Sequence, residues 1–185
     1  MYMANLLIPV STEDHVLGNP DALLTIVEYG DYESSACRRA AGLVARIMAA
    51  KEGDIIYAYR HFPIEERHLY AERAAEAAEA AGAQGDEKFW EMHRMLFDHQ
   101  DKLDYDSLYL YADMLGLDME RFGADMEQHA HLPRVNRDYM RGLQNGIRTV
   151  PSFFISNHLY SGAYSLADLL SAVRRGKRRL IQGFV

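Results

Sequence analysis

One segment in the first third of the chain most constrains what it can fold into. Leu23–Tyr29 is a short apolar run rich in β-branched residues, which predicts a largely buried strand. From Ser35 to about Ala50, apolar residues recur at three- and four-residue spacing, which predicts an amphipathic helix. Ile55–Arg60 then predicts a second strand. Because short connections flank the helix, we expect a β-α-β unit with a parallel strand pair.

The rest of the chain divides into a helical block and a second strand region. Residues from Glu65 to about Asn145 are rich in Ala, Glu, Met and Leu, which predicts several helices and no strands. The strand period returns in Ser152–Ile155, and a turn leads to a second short strand at Leu159–Ser161. Ser165 then precedes a last predicted helix, from Leu166 through Val173, that we expect to end at Gly176. The pattern predicts an α/β protein with a mixed sheet and an inserted helical block.

The composition limits the kinds of partner that we expect for this chain. The chain has 185 residues, 49% of them hydrophobic and 25% charged, and no apolar run approaches the roughly 20 residues that span a bilayer. We therefore expect a single domain without a membrane partner. Met1–Val10 includes a short apolar stretch but lacks a basic leading region and a small-residue cleavage site, so the expected location is cytoplasmic.

Charge argues against nucleic acid as a partner. The formal net charge is -7, whereas binding to a phosphate backbone needs a basic face. A local exception is the basic run from Arg174 to Arg179. Cations at a helix C-terminus complement the helix dipole, which is the simpler interpretation of that run.

The junction of the first strand and the first helix is the candidate site. A helix that begins near Ser35 presents free backbone N–H groups and a positive dipole end, which stabilise an anion. Cys37 lies in the first turn, where a thiol pKa can fall well below its ordinary value of about 8.5. It is the only cysteine, so a redox cycle would need a second thiol from another molecule.

Several segments, in order, resemble the DsbA-like thioredoxin family. The resemblance runs from about Val16 to Val173 and includes Val150–Pro151, which is similar to the loop that carries the family's cis-proline. It implies a thioredoxin-like fold formed by residues of about 16–64 and 146–176, with an inserted helical subdomain of about 65–145. It also implies membership of a thiol-disulfide oxidoreductase family. The other similar segments are Val27–Glu33 leading to Cys37–Arg39, His61–Pro63, Ala83–Gly85, Phe89–His93, Leu115–Asp118 and Gly162.

The chain departs from the family at the first cysteine. The family carries C-x-x-C, and its first, attacking cysteine aligns with Ser34, so only the second position survives, as Cys37. Serine is a far weaker nucleophile and forms no disulfide. We therefore expect the usual dithiol cycle to be closed to this protein alone.

Four interpretations of Ser34 stay open. The first is a natural loss that leaves a scaffold for binding extended peptides or small thiols. The second is a glutathione-dependent reaction, because the resemblance extends to kappa-class glutathione transferases and hydroxychromene carboxylate isomerases, which hold glutathione near a serine at this turn. The third is monothiol chemistry at Cys37 with glutathione or a partner protein. The fourth is an engineered exchange.

Each candidate residue also has a simpler interpretation. A lone cysteine at the position of Cys37 is commonly a buried, inert small hydrophobe, and Ser34 and Ser35 suit a helix N-cap. Pro151 at the start of an apolar strand favours an ordinary trans bond by itself, whereas the resemblance implies a cis bond. Glu28, just before the turn, is a candidate proton relay.

The predicted substrate-binding residues flank the turn. They are Ser35 and Ala36 on the turn and Val150 and Pro151 on the loop, where a free edge backbone would pair with an extended peptide or glutathione. No resident cofactor is predicted. His129 and His131 lack a third ligand nearby, so no metal site is predicted.

Overall fold

The computed structural model of the chain describes residues 5–19, 21–50 and 55–181. Five strands form one mixed sheet in the order β1-β3-β2-β4-β5. The β2–β3 pair is parallel and the other pairs are antiparallel, so the predicted β-α-β unit and the predicted hairpin are confirmed. The strands are β1 (Val16–Gly18), β2 (Leu24–Gly30), β3 (Ile55–His61), β4 (Ser152–Ile155) and β5 (His158–Leu159).

Helices cover the sheet, and five of those in the described residues lie between β3 and β4 in sequence, as the helical composition predicts. Within that block α2 buries all its alanines, because small side chains let the neighbouring helices approach closely. Among the described residues, no helix is long and apolar enough to cross a membrane. The helices are α1 (Ser35–Ala49), α2 (Ala71–Gly82), α3 (Asp86–Asp98), α4 (Tyr105–Met114), α5 (Met119–Glu127), α6 (Leu132–Gln144) and α7 (Leu166–Ile181).

The central strand β2 packs against a core on each side. Leu24 and Ile26 belong to the cluster that includes the buried face of α1, whereas Val27 and Tyr29 belong to a second cluster. Side chains alternate between the two faces of a strand, so Glu28 shares the α1 face with Leu24 and Ile26. This register places a carboxyl group under the helix that carries the candidate site.

Three elements differ from the sequence-based prediction, and one of them, β5, differs only in its bounds, since it lies at His158–Leu159 and not at Leu159–Ser161. The edge strand β1 was not predicted, because three residues are too few for a period of two to be recognised. The last helix does not end at Gly176 but continues to Ile181. A Cβ at Gly176 would lie 2.6 Å from Ser156 Oγ and 3.0 Å from Leu24 Cδ1, so this glycine permits close packing rather than ending the helix.

Candidate functional site

Local hydrogen bonds hold the turn between β2 and α1. Ser34 is the N-cap of α1, and its hydroxyl accepts from the Cys37 N–H at 3.4 Å, which confirms the predicted capping role. The side-chain amide of Gln100 donates to the carbonyl oxygens of Tyr32 at 2.6 Å and Ser34 at 2.9 Å. The turn is therefore held by its own N-cap and by the side chain of Gln100, which follows α3.

Asp31 organises the same turn, a role that sequence reasoning missed. Its carboxylate accepts from the N–H groups of Glu33 at 2.8 Å and Ile64 at 2.9 Å, and it hydrogen-bonds His68 Nδ1 at 2.7 Å. An aspartate directly after a strand is a turn signal. However, its partners at Ile64 and His68 are more than thirty residues away, and only the fold brings them together.

Cys37 lies behind the turn, fully buried. Its sulfur accepts from the Asp31 N–H at 3.5 Å. Burial, and then the nearby Glu28 carboxyl, raise the pKa of the Cys37 thiol well above its usual value. The lowering expected from a helix N-terminus therefore does not hold, because loss of hydration outweighs the dipole at this depth.

Glu28 lies in the core beneath the turn and is fully buried. One carboxyl oxygen accepts from the Tyr57 hydroxyl at 2.8 Å, and the other has no partner among the described residues. Burial raises the pKa of Glu28 to about 8 despite this hydrogen bond, so the side chain is mostly a neutral acid at pH 7. A neutral acid here carries a proton, but its action as a relay stays a prediction.

Replacing Glu28 by glutamine is expected to change how stability depends on pH. Between the ordinary pKa of 4.5 and the folded value of about 8, the folded protein holds a proton that the unfolded chain has lost. The free energy of unfolding of the unaltered protein therefore falls as pH rises through this window, and an amide lacks that dependence. Relative to the unaltered protein, the free energy of unfolding of Glu28→Gln should therefore rise by up to about 1 kcal/mol for each pH unit through this window.

Urea unfolding at pH 5, 6, 7 and 8 measures this difference. Glu120→Gln is the control, because Glu120 is an exposed glutamate and its replacement should leave the pH profile unchanged. If Glu28→Gln and the unaltered protein gave parallel profiles, the buried carboxyl would not be protonated near neutral pH.

A groove of about 540 Å³ opens beside the turn. It brings together four of the predicted residues, Ser34, Ser35, Ala36 and Val150, whereas Cys37 and Glu28 lie beneath it. The Val150–Pro151 peptide bond is cis, and the Pro151 carbonyl accepts from the Tyr164 hydroxyl at 2.8 Å. The remaining lining residues, which sequence reasoning did not place here, are Ile64, Glu66, Arg67, His68, Arg148 and Thr149.

Free backbone groups face this region. Within the described ranges, the N–H groups of Ser35 and Ala36 and both backbone polar groups of Val150 make no hydrogen bond. The first turn of α1 contains no acidic residue that would compensate its dipole. The three N–H groups can therefore donate to a molecule in the groove, the Val150 carbonyl can accept from it, and the helix N-terminus favours negative charge there.

Most histidines noted in the sequence analysis form hydrogen bonds or ion pairs with other residues of the fold. His61 contacts Glu79 at 2.8 Å, and His129 and His131 contact carboxylates rather than each other. Among the described residues, one buried group of metal-ligand type was not predicted, formed by His61, Glu79 and Asp138. The Arg134 guanidinium lies 3.6 Å from both of these carboxylates and supplies a positive charge there.

Comparison with known proteins places the chain in a family. The thioredoxin family profile matches residues 10–175. The chain is 41% identical over 172 residues to a protein of Mycobacterium sp. (strain KMS) named Na(+)/H(+) antiporter NhaA 1, and 38% identical over 174 residues to one of Herminiimonas arsenicoxydans named Na(+)/H(+) antiporter NhaA. These matches cover 91% and 92% of this chain but only 28% and 27% of the relatives, so the chain spans little more than a quarter of their length.

Solved structures with the same fold cover nearly the whole chain. BdbD from Bacillus subtilis superposes with a TM-score of 0.83 at 19% identity, covering 96% of this chain and 100% of that one. A thioredoxin-like oxidoreductase from Silicibacter pomeroyi superposes with a TM-score of 0.80 at 29% identity, covering 91% and 94%. The chain therefore belongs to the thioredoxin family in its DsbA-like form, as a member with one cysteine and no C-x-x-C pair.

Proposed function

We propose that this domain is a binding module for extended peptides and does not catalyse dithiol exchange. The observation that carries the proposal is that Ser34 stands where the family's attacking cysteine would be, while the only thiol, Cys37, is fully buried with a raised pKa. A buried thiol is a poor nucleophile because the thiolate is the reactive form. This leaves the groove without the sulfur chemistry of its family.

The groove supports recognition of an extended chain. Val150 offers an N–H and a C=O that pair with no described residue, next to the start of β4, as an edge strand does for an added strand. A peptide that pairs with these two groups would run past Ser35 and Ala36. Main-chain hydrogen bonds would give affinity with little dependence on the peptide's sequence.

Charge in the groove favours peptides with acidic side chains. Arg67 and Arg148 line it together with a single acidic residue, Glu66. The Arg148 guanidinium is held in place because it donates to the carbonyls of Ile147 at 2.7 Å and Leu143 at 3.3 Å. The partially positive N-terminus of α1 adds to the same field.

A glutathione-dependent reaction receives less support. Its serine would donate to the glutathione sulfur, but Ser34 is only 7% exposed and its oxygen serves as the N-cap acceptor. Glutathione binding and the cytoplasmic location stay predictions. The antiporter name of the relatives describes proteins of which this region is little more than a quarter, and we assign no transport to the domain.

A library of random linear decapeptides tests the proposal, with the selected peptide then measured by fluorescence polarisation. Cys37→Ser should leave affinity unchanged, because binding needs no sulfur. Ala36→Trp should weaken it about tenfold or more by filling the groove. Ala49→Trp, at the exposed far end of the same helix, is the matched control and should have no effect.

Two results would overturn the proposal. One is loss of peptide binding in Cys37→Ser with the fold intact. The other is rapid alkylation of Cys37 in the native protein together with a stable glutathione adduct, which would favour monothiol chemistry.

A further inference from the structure

A second cavity lies between α1 and α3 and shares no lining residue with the groove beside Ser34. Its volume is about 380 Å³, within the usual range for small-molecule sites. Its walls are mainly apolar, from β1, α1, β3 and α3. The larger apolar and aromatic residues that line it are Leu17, Val44, Met48, Tyr57, Trp90 and Phe97.

The α1 wall leaves this cavity open. Ala41, Gly42 and Ala45 line it with small side chains. A Cβ at Gly42 would meet no atom within 4 Å, so no packing contact requires glycine there. Glycine in a helix interior is less stable than alanine, so the fold bears a cost at a position that its own packing does not explain.

A polar ring with one nitrogen available to a ligand also lines the cavity. His93 is only 6% exposed, and its Nδ1 shares a hydrogen bond of 2.9 Å with the Tyr32 hydroxyl. Its Nε2 makes no hydrogen bond with a described residue and is not enclosed by protein atoms, so a molecule in the cavity can reach it. Burial lowers the pKa of His93 to about 3, so the ring is neutral. In the tautomer in which Tyr32 donates to Nδ1, Nε2 carries the ring proton and can donate it to a ligand.

The charged residues that line the cavity, which we call its rim, give it a local positive charge. Arg38 and Arg94 line the cavity with one acidic residue, Asp98, although the whole chain has a net charge of -7. Arg38 donates to the backbone carbonyl of Asp98 at 3.3 Å, which holds its guanidinium near the rim. Among the described residues Arg94 has no salt bridge, and its positive charge acts on the neighbouring His93 ring. An anionic group at the rim would therefore meet two guanidinium groups.

We propose that this cavity binds an amphipathic carboxylate, such as a medium-chain fatty acid. Its apolar chain would lie along α1 over Gly42, against Trp90 and Phe97. Its carboxylate would accept from His93 Nε2 and pair with Arg94. This site is independent of the peptide groove, and neither proposal depends on the other.

The single tryptophan provides a built-in reporter. Trp90 lines the cavity, so decanoate added below its micelle concentration should change Trp90 fluorescence, and calorimetry should give the same dissociation constant. Decan-1-ol has the same chain without the charge, and decyltrimethylammonium has the opposite charge. We expect decanoate to bind about tenfold or more tightly than either, because only its carboxylate can form a charge-assisted hydrogen bond with the donors of the cavity.

Variants locate the site. Arg94→Gln should weaken decanoate about tenfold and leave decan-1-ol unchanged. Arg46→Gln, on α1 but outside the cavity lining, is its control. Gly42→Leu should weaken both probes by occupying the space, whereas Gly42→Ala should retain binding. Equal affinity for all three probes, no binding by calorimetry, or decanoate binding that neither Arg94→Gln nor Gly42→Leu alters would overturn the proposal.

Discussion

Replacing Arg60 by methionine is expected to lower the free energy of unfolding by about 3–5 kcal/mol. The Arg60 side chain is fully buried and donates twice to the Asp14 carboxylate, at 2.7 Å and 3.0 Å. It also donates to the carbonyls of Ile8 at 3.0 Å and Pro9 at 3.1 Å. Methionine fills much of the same volume but leaves the buried Asp14 carboxylate without its cation and two carbonyls without the Arg60 donor, and an unpaired buried charge is strongly destabilising.

Urea unfolding with linear extrapolation measures this loss. Arg141→Met is the matched control, because Arg141 contacts a half-exposed Glu13 at 3.3 Å and its removal should cost less than about 1 kcal/mol. The double variant Arg60→Met with Asp14→Leu should recover part of the stability, since neither charge is then left alone. Equal losses in Arg60→Met and Arg141→Met would contradict the buried-pair argument.

Replacing Ser34 by cysteine is expected to create a redox-active pair where the unaltered protein has none. Ser34 is the N-cap and its side chain reaches the backbone of Cys37 within 3.4 Å, so a thiol at this position would lie near the Cys37 sulfur. The free N–H groups of the first helical turn would stabilise a thiolate at the N-cap. Disulfide exchange would then need no thiol from a second molecule for its resolving step.

Thiol titration after equilibration with oxidised and reduced glutathione, and catalysed reduction of insulin, measure the gain. Ser34→Cys should lose both thiols on oxidation and reduce insulin, whereas the unaltered protein should show no activity above background. Ser35→Cys is the control, because Ser35 is exposed and its side chain does not cap toward Cys37. Two free thiols in oxidised Ser34→Cys would mean that the turn geometry, not the missing sulfur, blocks the redox cycle.

Local patterns were enough to predict most of the secondary structure and the place of the candidate site. The apolar, β-branched run Leu23–Tyr29 and the spacing after Ser35 predicted β2 and α1, and the capping preference of serine predicted the N-cap at Ser34. The same kind of pattern predicted a helical block between two strand regions, and the DsbA-like resemblance implied that this block is an insertion in a thioredoxin-like fold. The predicted end of α7 at Gly176 was wrong. This glycine instead lets the helix pack closely against Leu24 of β2 and Ile155 of β4, which are distant from it in sequence.

The sequence by itself determined the family, the order of strands and helices apart from β1, and the absence of a second thiol in this chain. Only the tertiary structure decided that Cys37 and Glu28 lie buried with raised pKa values, that Asp31 holds His68, and that His93 faces a cavity beside α3. The physical reason is the separation, along the chain, of the residues that interact. Helix periodicity and capping depend on residues a few positions apart, whereas hydration and pairing depend on groups brought together from distant parts of the chain.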